Sequence, residues 1–332
     1  MTHDTPGLNR FKFTVWTSAA LLMAASAAVQ AQGVWKPEKP VEIVVGSAAG
    51  GGNDKSARVL QKILTETKTA EAVVANKVGG GGAIAYNYIS QKNNNPHVIG
   101  IAQAGWITNH ITGRSPLTLT SMTPLSYVGS EPVALTVRAD SPYKNLKQFL
   151  EQLKKDPTSL SISVGSTLGG TNHFGIALLA KSAGVDAKKL KLLVFGGGAE
   201  SVTNLLGGHI QAMSQLVNNS IPHQKAGTMR ILCITSTKRL AAIPDVPTCT
   251  EEGAKVVAEG WTVVVGPKDM PANQVAGWEK ILLAATQHPE WKNYMESSGW
   301  MPDYKNAKDT SAFLKEDYAE TKALLTEFGL AK

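Results

Sequence analysis

Lys39-Pro40-Val41-Glu42-Ile43-Val44-Val45, followed by Ser47-Ala48-Ala49-Gly50-Gly51-Gly52-Asn53-Asp54 and a run with Ala57, Leu60, Ile63 and Leu64 on one stripe, decides the fold of this chain. The short β-branched run reads as a buried strand, the glycines as a tight turn, and the i, i+3, i+4 apolar spacing as a helix packed back on that strand. The unit recurs: Ala72 to Ala75 leads into Gly79 to Gly82 and a helix through Ile84 and Ile89, and Val98 to Ala102 leads into Gln103-Ala104-Gly105-Trp106. Strands separated by helices of this length predict parallel pairing through right-handed crossovers.

A longer extended run, Tyr127 to Ala139, precedes a second series. Ser161 to Val164 is a strand, Gly165 to Thr171 a turn, and Phe174, Ala177 and Leu178 a helix face. Leu190 to Phe195 is the next strand, Gly196 to Gly198 its turn, and Val202, Leu205 and Leu206 its helix face. After the apolar run Met229 to Ile234, the loop-rich segment Lys238 to Gly253 is the expected return crossing. Trp261 to Val265 then resumes a strand, and helical registers fill the rest. The order predicts two α/β lobes joined by two crossing segments, residues 32–132 and 243–332 forming the first and 133–242 the second.

Composition narrows the class. Of 332 residues 43% are hydrophobic and 18% charged, which excludes a disordered or collagenous chain. The formal net charge of +7 suits an anionic partner of any kind. Nucleic acid is not expected, because the bases are spread along the chain without a basic-aromatic platform. The seven histidines show no ligand spacing, so no metal is expected.

Arg10 and Lys12 precede an uncharged, Ala-rich stretch, Phe13 to Val29, that ends in Val29-Gln30-Ala31. A basic start, a short apolar centre and small residues at −3 and −1 read as a secretory signal peptide over 1–31. The apolar centre is shorter than the roughly 20 residues of a membrane span. The expected location is the periplasm, where disulfides persist. Cys233 and Cys249 then read either as a bridge across the return segment or as two separate buried thiols, the exported setting favouring the bridge.

Four glycine turns, Gly50–Gly52, Gly79–Gly82, Gly169–Gly170 and Gly196–Gly198, each follow a strand and open a helix. Free N–H groups and the helix dipole favour an anion there, at the carboxyl ends of strands where open α/β sheets bind ligands. No turn carries a phosphate loop or a Gly-x-Gly-x-x-Gly register. Gly165-Ser166-Thr167-Leu168-Gly169 puts its serine beside the first glycine, so it is no nucleophile elbow.

The order of these motifs resembles the solute receptors of tripartite tricarboxylate transporters, the Bug family. The resemblance is carried by Lys39 to Val45 with Ala49-Gly-Gly-Gly-Asn-Asp54, by Asn76-Lys-Val-Gly-Gly-Gly-Gly82, and by Ser166-Thr-Leu-Gly-Gly-Thr-Asn-His173. It continues through Leu205-Leu-Gly-Gly-His-Ile-Gln-Ala-Met213, Pro222-His-Gln-Lys-Ala-Gly227, Thr235-Ser-Thr-Lys-Arg239 and Pro244-Asp-Val-Pro-Thr248. It implies a type II periplasmic-binding fold whose lobes close on a small organic carboxylate (di-, tri- or aromatic), with no cofactor and no catalysis. The implied partner is a membrane permease of two unlike subunits. The alternative is a module presenting bound ligand to a sensor kinase, and an exported hydrolase is the remotest reading. The chain is expected to be a monomer.

Carried onto this sequence, the resemblance implies that Ser47, Ala49, Gly50, Gly51, Gly52, Asn53, Asp54, Gly81, Gly82 and Ala83 hold a carboxylate, with Gln103, Ala104 and Trp106 beside them. The second lobe would add Ser166, Thr167, Gly170, Thr171, Asn172, Phe195, Gly197 and Gln215. Three departures stand out. Gly46-Ser47-Ala48 replaces a Pro-aromatic-Pro sequence, Phe195 replaces a tyrosine, and Gln215 stands where receptors for amino acids have Asp. A carboxamide cannot pair with an ammonium as a carboxylate does, which disfavours an α-amino acid. Trp106 is either a stacking wall for a planar acid or part of the packing of the lobe.

Overall fold

The computed structural model describes residues 1–3, 35–165 and 167–332. The expected signal peptide, apart from its first three residues, and Ser166 lie outside the described residues.

In the first lobe β1 (Val41–Val45) lies between β2 (Ala72–Asn76) and β3 (Val98–Ala102), all three parallel. Every residue of β3 is buried, as a strand covered on both faces must be. Helix α1 (Gly52–Glu66) turns Ala57, Leu60, Ile63 and Leu64 inward against α8 (Ala272–Gln287) and α9 (Pro289–Ser297), where Trp278, Leu282, Trp291 and Met295 meet them. Helices α2 (Ala83–Ser90), α3 (Gly105–Ile111) and α10 (Ala307–Glu327) cover the opposite face with Tyr86, Trp106, Ile107 and Leu314.

Strand β4 (Met122–Arg138) is 17 residues long and belongs to both lobes. Residues up to Pro132 pair antiparallel with β9 (Glu259–Pro267), which in turn pairs with β3. From Val133 onward β4 pairs with β7 (Ala212–Leu216) and β8 (Met229–Ile234). In the second lobe β5 (Ser161–Ser163) lies parallel between β6 (Lys191–Leu193) and β7. Around it sit α4 (Leu146–Lys155), α5 (Thr171–Ser182), α6 (Gly198–Leu206) and the short α7 (Ile221–Lys225).

The crossings meet at three residues. Thr235 N–H donates to the Val133 carbonyl at 2.9 Å, Ala258 N–H to the Thr235 carbonyl at 3.1 Å, and Val133 N–H to the Ala258 carbonyl at 3.3 Å. The second crossing therefore falls at Ala258, about fifteen residues after the boundary expected at 242/243. Residues 243–257 pack with the second lobe instead of the first: Ile243 and Val246 join Ile231 and Ile234, and Ala254 and Val256 join Leu135 and Phe149. The Cys233–Cys249 disulfide, Cα atoms 4.9 Å apart, ties this segment to β8. Scattered apolar side chains between prolines carry no period, so their burial was not visible in the sequence.

Candidate functional site

Three turns of the first lobe are packed backbone against backbone, and glycine is what permits it. A Cβ on Gly46, at the end of β1, would lie 2.7 Å from the Gly82 Cα, and one on Gly105, opening α3, would run into the Gly81 carbonyl. Gly79 to Gly82 all have positive φ, between 57° and 137°, a run that L side chains with a Cβ adopt only under strain. Asn109 in α3 donates to the Gly80 carbonyl at 2.8 Å and fixes the second turn from below.

Each remaining glycine turn is closed by the side chain four residues on. Asp54 Oδ2 accepts the Gly50 N–H at 2.9 Å, His173 Nδ1 accepts the Gly169 N–H at 3.0 Å, and Glu200 Oε2 accepts the Gly196 N–H at 2.7 Å. Asp54 also accepts from Arg58 Nε and Asn76 Nδ2, both at 2.9 Å, and Asn76 Nδ2 donates to the Ser47 carbonyl at the same distance. The Asp54 side chain is 2% exposed and its oxygens are engaged within the protein, so it shapes the first turn instead of facing a ligand. Burial works to raise its pKa, but the hydrogen bonds from Arg58, Gly50 and Asn76 outweigh that and hold it below the ordinary value. Burial pushes His173 down to about 4, so a neutral ring does the accepting.

These contacts shape the turns but leave the helix ends open. The N-caps of the four helices that begin there, Gly51, Gly82, Gly170 and Gly197, make no side-chain cap hydrogen bond. Away from these turns α4, α9 and α10 are capped by Asn145, His288 and Asn306, whereas α8, preceded by Pro271, has no side-chain cap. The first N–H groups of a helix have no intrahelical acceptor, so each of these four ends offers donors suited to an anion.

The lobes touch across these turns. A Cβ on Gly52 would lie 3.1 Å from Asn218 Nδ2 of the second lobe. Asn218 is held by Glu131 on β4, whose carboxyl accepts the Asn218 N–H at 2.6 Å and Nδ2 at 3.2 Å. Glu131 is fully buried, and burial pushes its carboxyl up to about 8 against the pull of the Asn218 N–H. At one edge Arg114, on the loop after α3, donates to Thr167 Oγ1. Asn53 donates to Gln103 Oε1 at 3.0 Å, and Gln103 Nε2 to Thr262 Oγ1 at 3.3 Å, linking the first and third turns to β9.

In the second lobe Asn172 Nδ2 donates to Gln215 Oε1 at 3.0 Å, and Gln215 Nε2 to Ser201 Oγ at 3.1 Å. Phe195 N–H donates to the Gly165 carbonyl at 2.9 Å, which seats the fourth turn beside the third. Trp106 does not join the cleft. Its indole is 1% exposed and packs with Tyr86, Ile107 and Trp261, because α3 turns that face toward the sheet. Of the two readings of Trp106, packing within the lobe is the one its burial supports. Sequence reading also passed over Ser163, Ser201, Asn109, Arg114 and Asn218. Ser161 and Ser163 in an otherwise apolar three-residue strand were the one available signal. An apolar cavity of about 280 Å³ lined by Trp35, Ile63, Leu64 and Ile281 lies at the far end of α1, away from the glycine turns. Among the described residues no helix is long and apolar enough to cross a membrane.

The model of the tripartite tricarboxylate transporter family receptor matches residues 56–330. The chain belongs to this family. A UPF0065 protein of Cupriavidus necator is 27% identical over 318 residues, 95% of each chain. The periplasmic binding protein BugD superposes with a TM-score of 0.79 at 28% identity, over 89% of this chain and 99% of its own. The R. palustris protein Rpa4515, solved with adipate, gives a TM-score of 0.81 at 23% identity over 89% and 99%. The two-lobe type II periplasmic-binding fold expected from the motif order is the fold these receptors share with the chain.

Proposed function

We propose that the chain is a periplasmic, non-catalytic receptor that closes its two lobes on a small organic carboxylate and delivers it to the membrane subunits of a tripartite transporter. The observation that carries this reading is the set of four uncapped helix N-termini at glycine turns, two in the first lobe, where the turns pack backbone to backbone, and two in the second lobe opposite. Backbone N–H groups held in place before the ligand arrives bind an anion without reorganising and without an obligatory cationic side chain. Adipate in the Rpa4515 structure supports a carboxylate as the ligand class.

The site would comprise Gly51 to Asn53 and Gly81 to Ala83 in the first lobe, with Thr171, Asn172 and Gly197 opposite. Gly50 and Asp54 act by holding the first turn. Closure follows from higher affinity for the closed arrangement, which is the only way a ligand shifts such an equilibrium. Thermal shift and calorimetry against mono-, di-, tri- and aromatic carboxylates test the reading, and a panel without a single melting shift sinks it. Carboxylate uptake by vesicles carrying the permease, measured with and without the receptor, tests delivery.

A further inference from the structure

Glu131 is a buried carboxyl at the joint between the lobes, two residues before β4 changes partners, and no cation of the protein neutralises it. The residue is 0% exposed. Both of its donors belong to Asn218, the backbone N–H at 2.6 Å and the side-chain amide at 3.2 Å. Among the described residues no lysine, arginine or histidine forms an ion pair with it. A carboxylate buried with two neutral donors and no counter-charge is costly, so the group keeps its proton instead. Burial places its ionisation near pH 8.

Two contacts bring Glu131 close to the uncapped start of α1. The amide atom of Asn218 that meets its carboxyl lies 3.1 Å from where a Cβ of Gly52 would stand, and exchanging the nitrogen and oxygen of that amide leaves the spacing unchanged. From the other side the Tyr294 hydroxyl donates to the Gly52 carbonyl at 3.3 Å, and burial first, then the Glu131 charge, keep that phenol protonated. An anion on the first N–H groups of α1 therefore stands roughly two hydrogen bonds, about 6–7 Å, from the Glu131 carboxyl. The other titratable groups nearby do not offset this. On β9 Glu259 accepts the Ser130 hydroxyl at 2.8 Å and can only add charge of the same sign. On α1 Asp54 is already paired with Arg58, and on α9 the group concerned is Tyr294 itself. Neither Ala212 to Asn219 nor the segment Ser298 to Met301, which pairs with Ser130, contains a titratable residue. On β8 Arg230 lies opposite Val137, farther along the second lobe.

We propose that Glu131 is a positioning residue of the ligand site that must be neutral for the carboxylate to bind, so that in alkaline solution the chain takes up one proton from solvent with each carboxylate. The proposal rests on the reading of the chain as a carboxylate receptor whose anion site includes the start of α1. The proton adds to the Glu131 carboxylate, and no other bond changes. Neutral Glu131 holds Asn218 against Gly52 without adding charge. Ionised, it sets a second negative charge behind the bound anion, and like charges roughly 7 Å apart, at an effective dielectric constant of about 20, oppose each other by more than tenfold in affinity.

The test is calorimetric titration of the full chain with succinate, adipate and benzoate at about pH 7 and about pH 9, each in two buffers of different ionisation enthalpy, the ligands themselves staying ionised at both. The carboxylate that binds is expected to lose about tenfold in affinity between the two pH values. At the higher pH it should bring with it roughly three-quarters of a proton per site, read from the difference in enthalpy between the buffers, and at the lower pH almost none. Glu131→Gln keeps an acceptor for the Asn218 N–H but cannot ionise, and should bind alike at both pH values without proton uptake. Equal wild-type affinity at the two pH values, or an equal fall in Glu131→Gln, overturns the proposal and leaves the receptor reading standing. A buffer-independent enthalpy at the higher pH overturns it from the wild type alone, which serves if Glu131→Gln does not fold. No binding by any carboxylate at either pH overturns the receptor reading itself.

Discussion

Glu131 makes the stability of this protein fall as the pH rises from about 6.5 toward 8. Its carboxyl is buried on the strand that both lobes share and ionises near pH 8 in the folded chain, against a usual value of 4.5. A folded pKa above the unfolded one means that the contribution is complete at low pH and is lost as pH rises toward the folded value. His173, pushed down to about 4, works in the opposite sense, but its change is mostly over by about pH 7 and, being shared with the variant below, cancels in their difference. Asp317, pushed up to about 6, is also nearly finished by then. Between about pH 6.5 and about pH 8 the slope from Glu131 is close to 1.4 kcal/mol per pH unit, or roughly 2 kcal/mol in all. Glu131→Gln keeps an acceptor for the Asn218 N–H but cannot ionise. Urea unfolding at both pH values should show the wild type losing about 2 kcal/mol and the variant losing much less. Glu259, which burial also raises, is common to both proteins and cancels in the difference. Equal losses in the two proteins would refute the reasoning and show Glu131 already ionised in the native state.

Reducing the Cys233–Cys249 bridge, or replacing both cysteines by serine, should cost about 3 kcal/mol in the chain-entropy model for a loop of this length, read as a shift of the urea midpoint. Equal midpoints with and without reductant would contradict it. Asp54→Ala releases the Gly50 N–H and the Asn76 amide, and should cost about 1–3 kcal/mol of stability together with weaker carboxylate binding. Unaltered stability would remove its positioning role. Gly46→Ala places a methyl against the Gly82 backbone and should weaken binding at least tenfold by parting the first two turns, a loss calorimetry resolves. Retained affinity would mean that the backbone contact is dispensable.

The strand–glycine–helix unit was legible because every part of it has a period or a special residue. The β1 and β3 runs, the α1 stripe and the glycine turns all stand where the sequence places them. The long extended run proved to be one strand from Met122 to Arg138, although no local pattern marks Val133 as the residue at which it changes partners. The glycine turns could be seen, but not how they are held. Asp54, His173 and Glu200 share the same four-residue offset from a glycine, and a carboxylate so placed looks like a ligand group until its partners are known. Trp106 shows the converse. One helical turn separates a rim position from a core position, and only the packing of α3 on the sheet decides between them.

Strand β4 has a consequence for how such receptors diversify. Because one continuous strand hydrogen-bonds in both sheets, neither lobe is a separable module, and a chimaera joined at one point would leave half of β4 facing strands of the wrong register. A foreign second lobe can be grafted only as an insert from Val133 to Ala258, with two junctions that preserve the Val133, Thr235 and Ala258 hydrogen bonds. Exchange of a whole lobe therefore requires both junctions to fit at once, whereas a change within a single glycine turn requires neither.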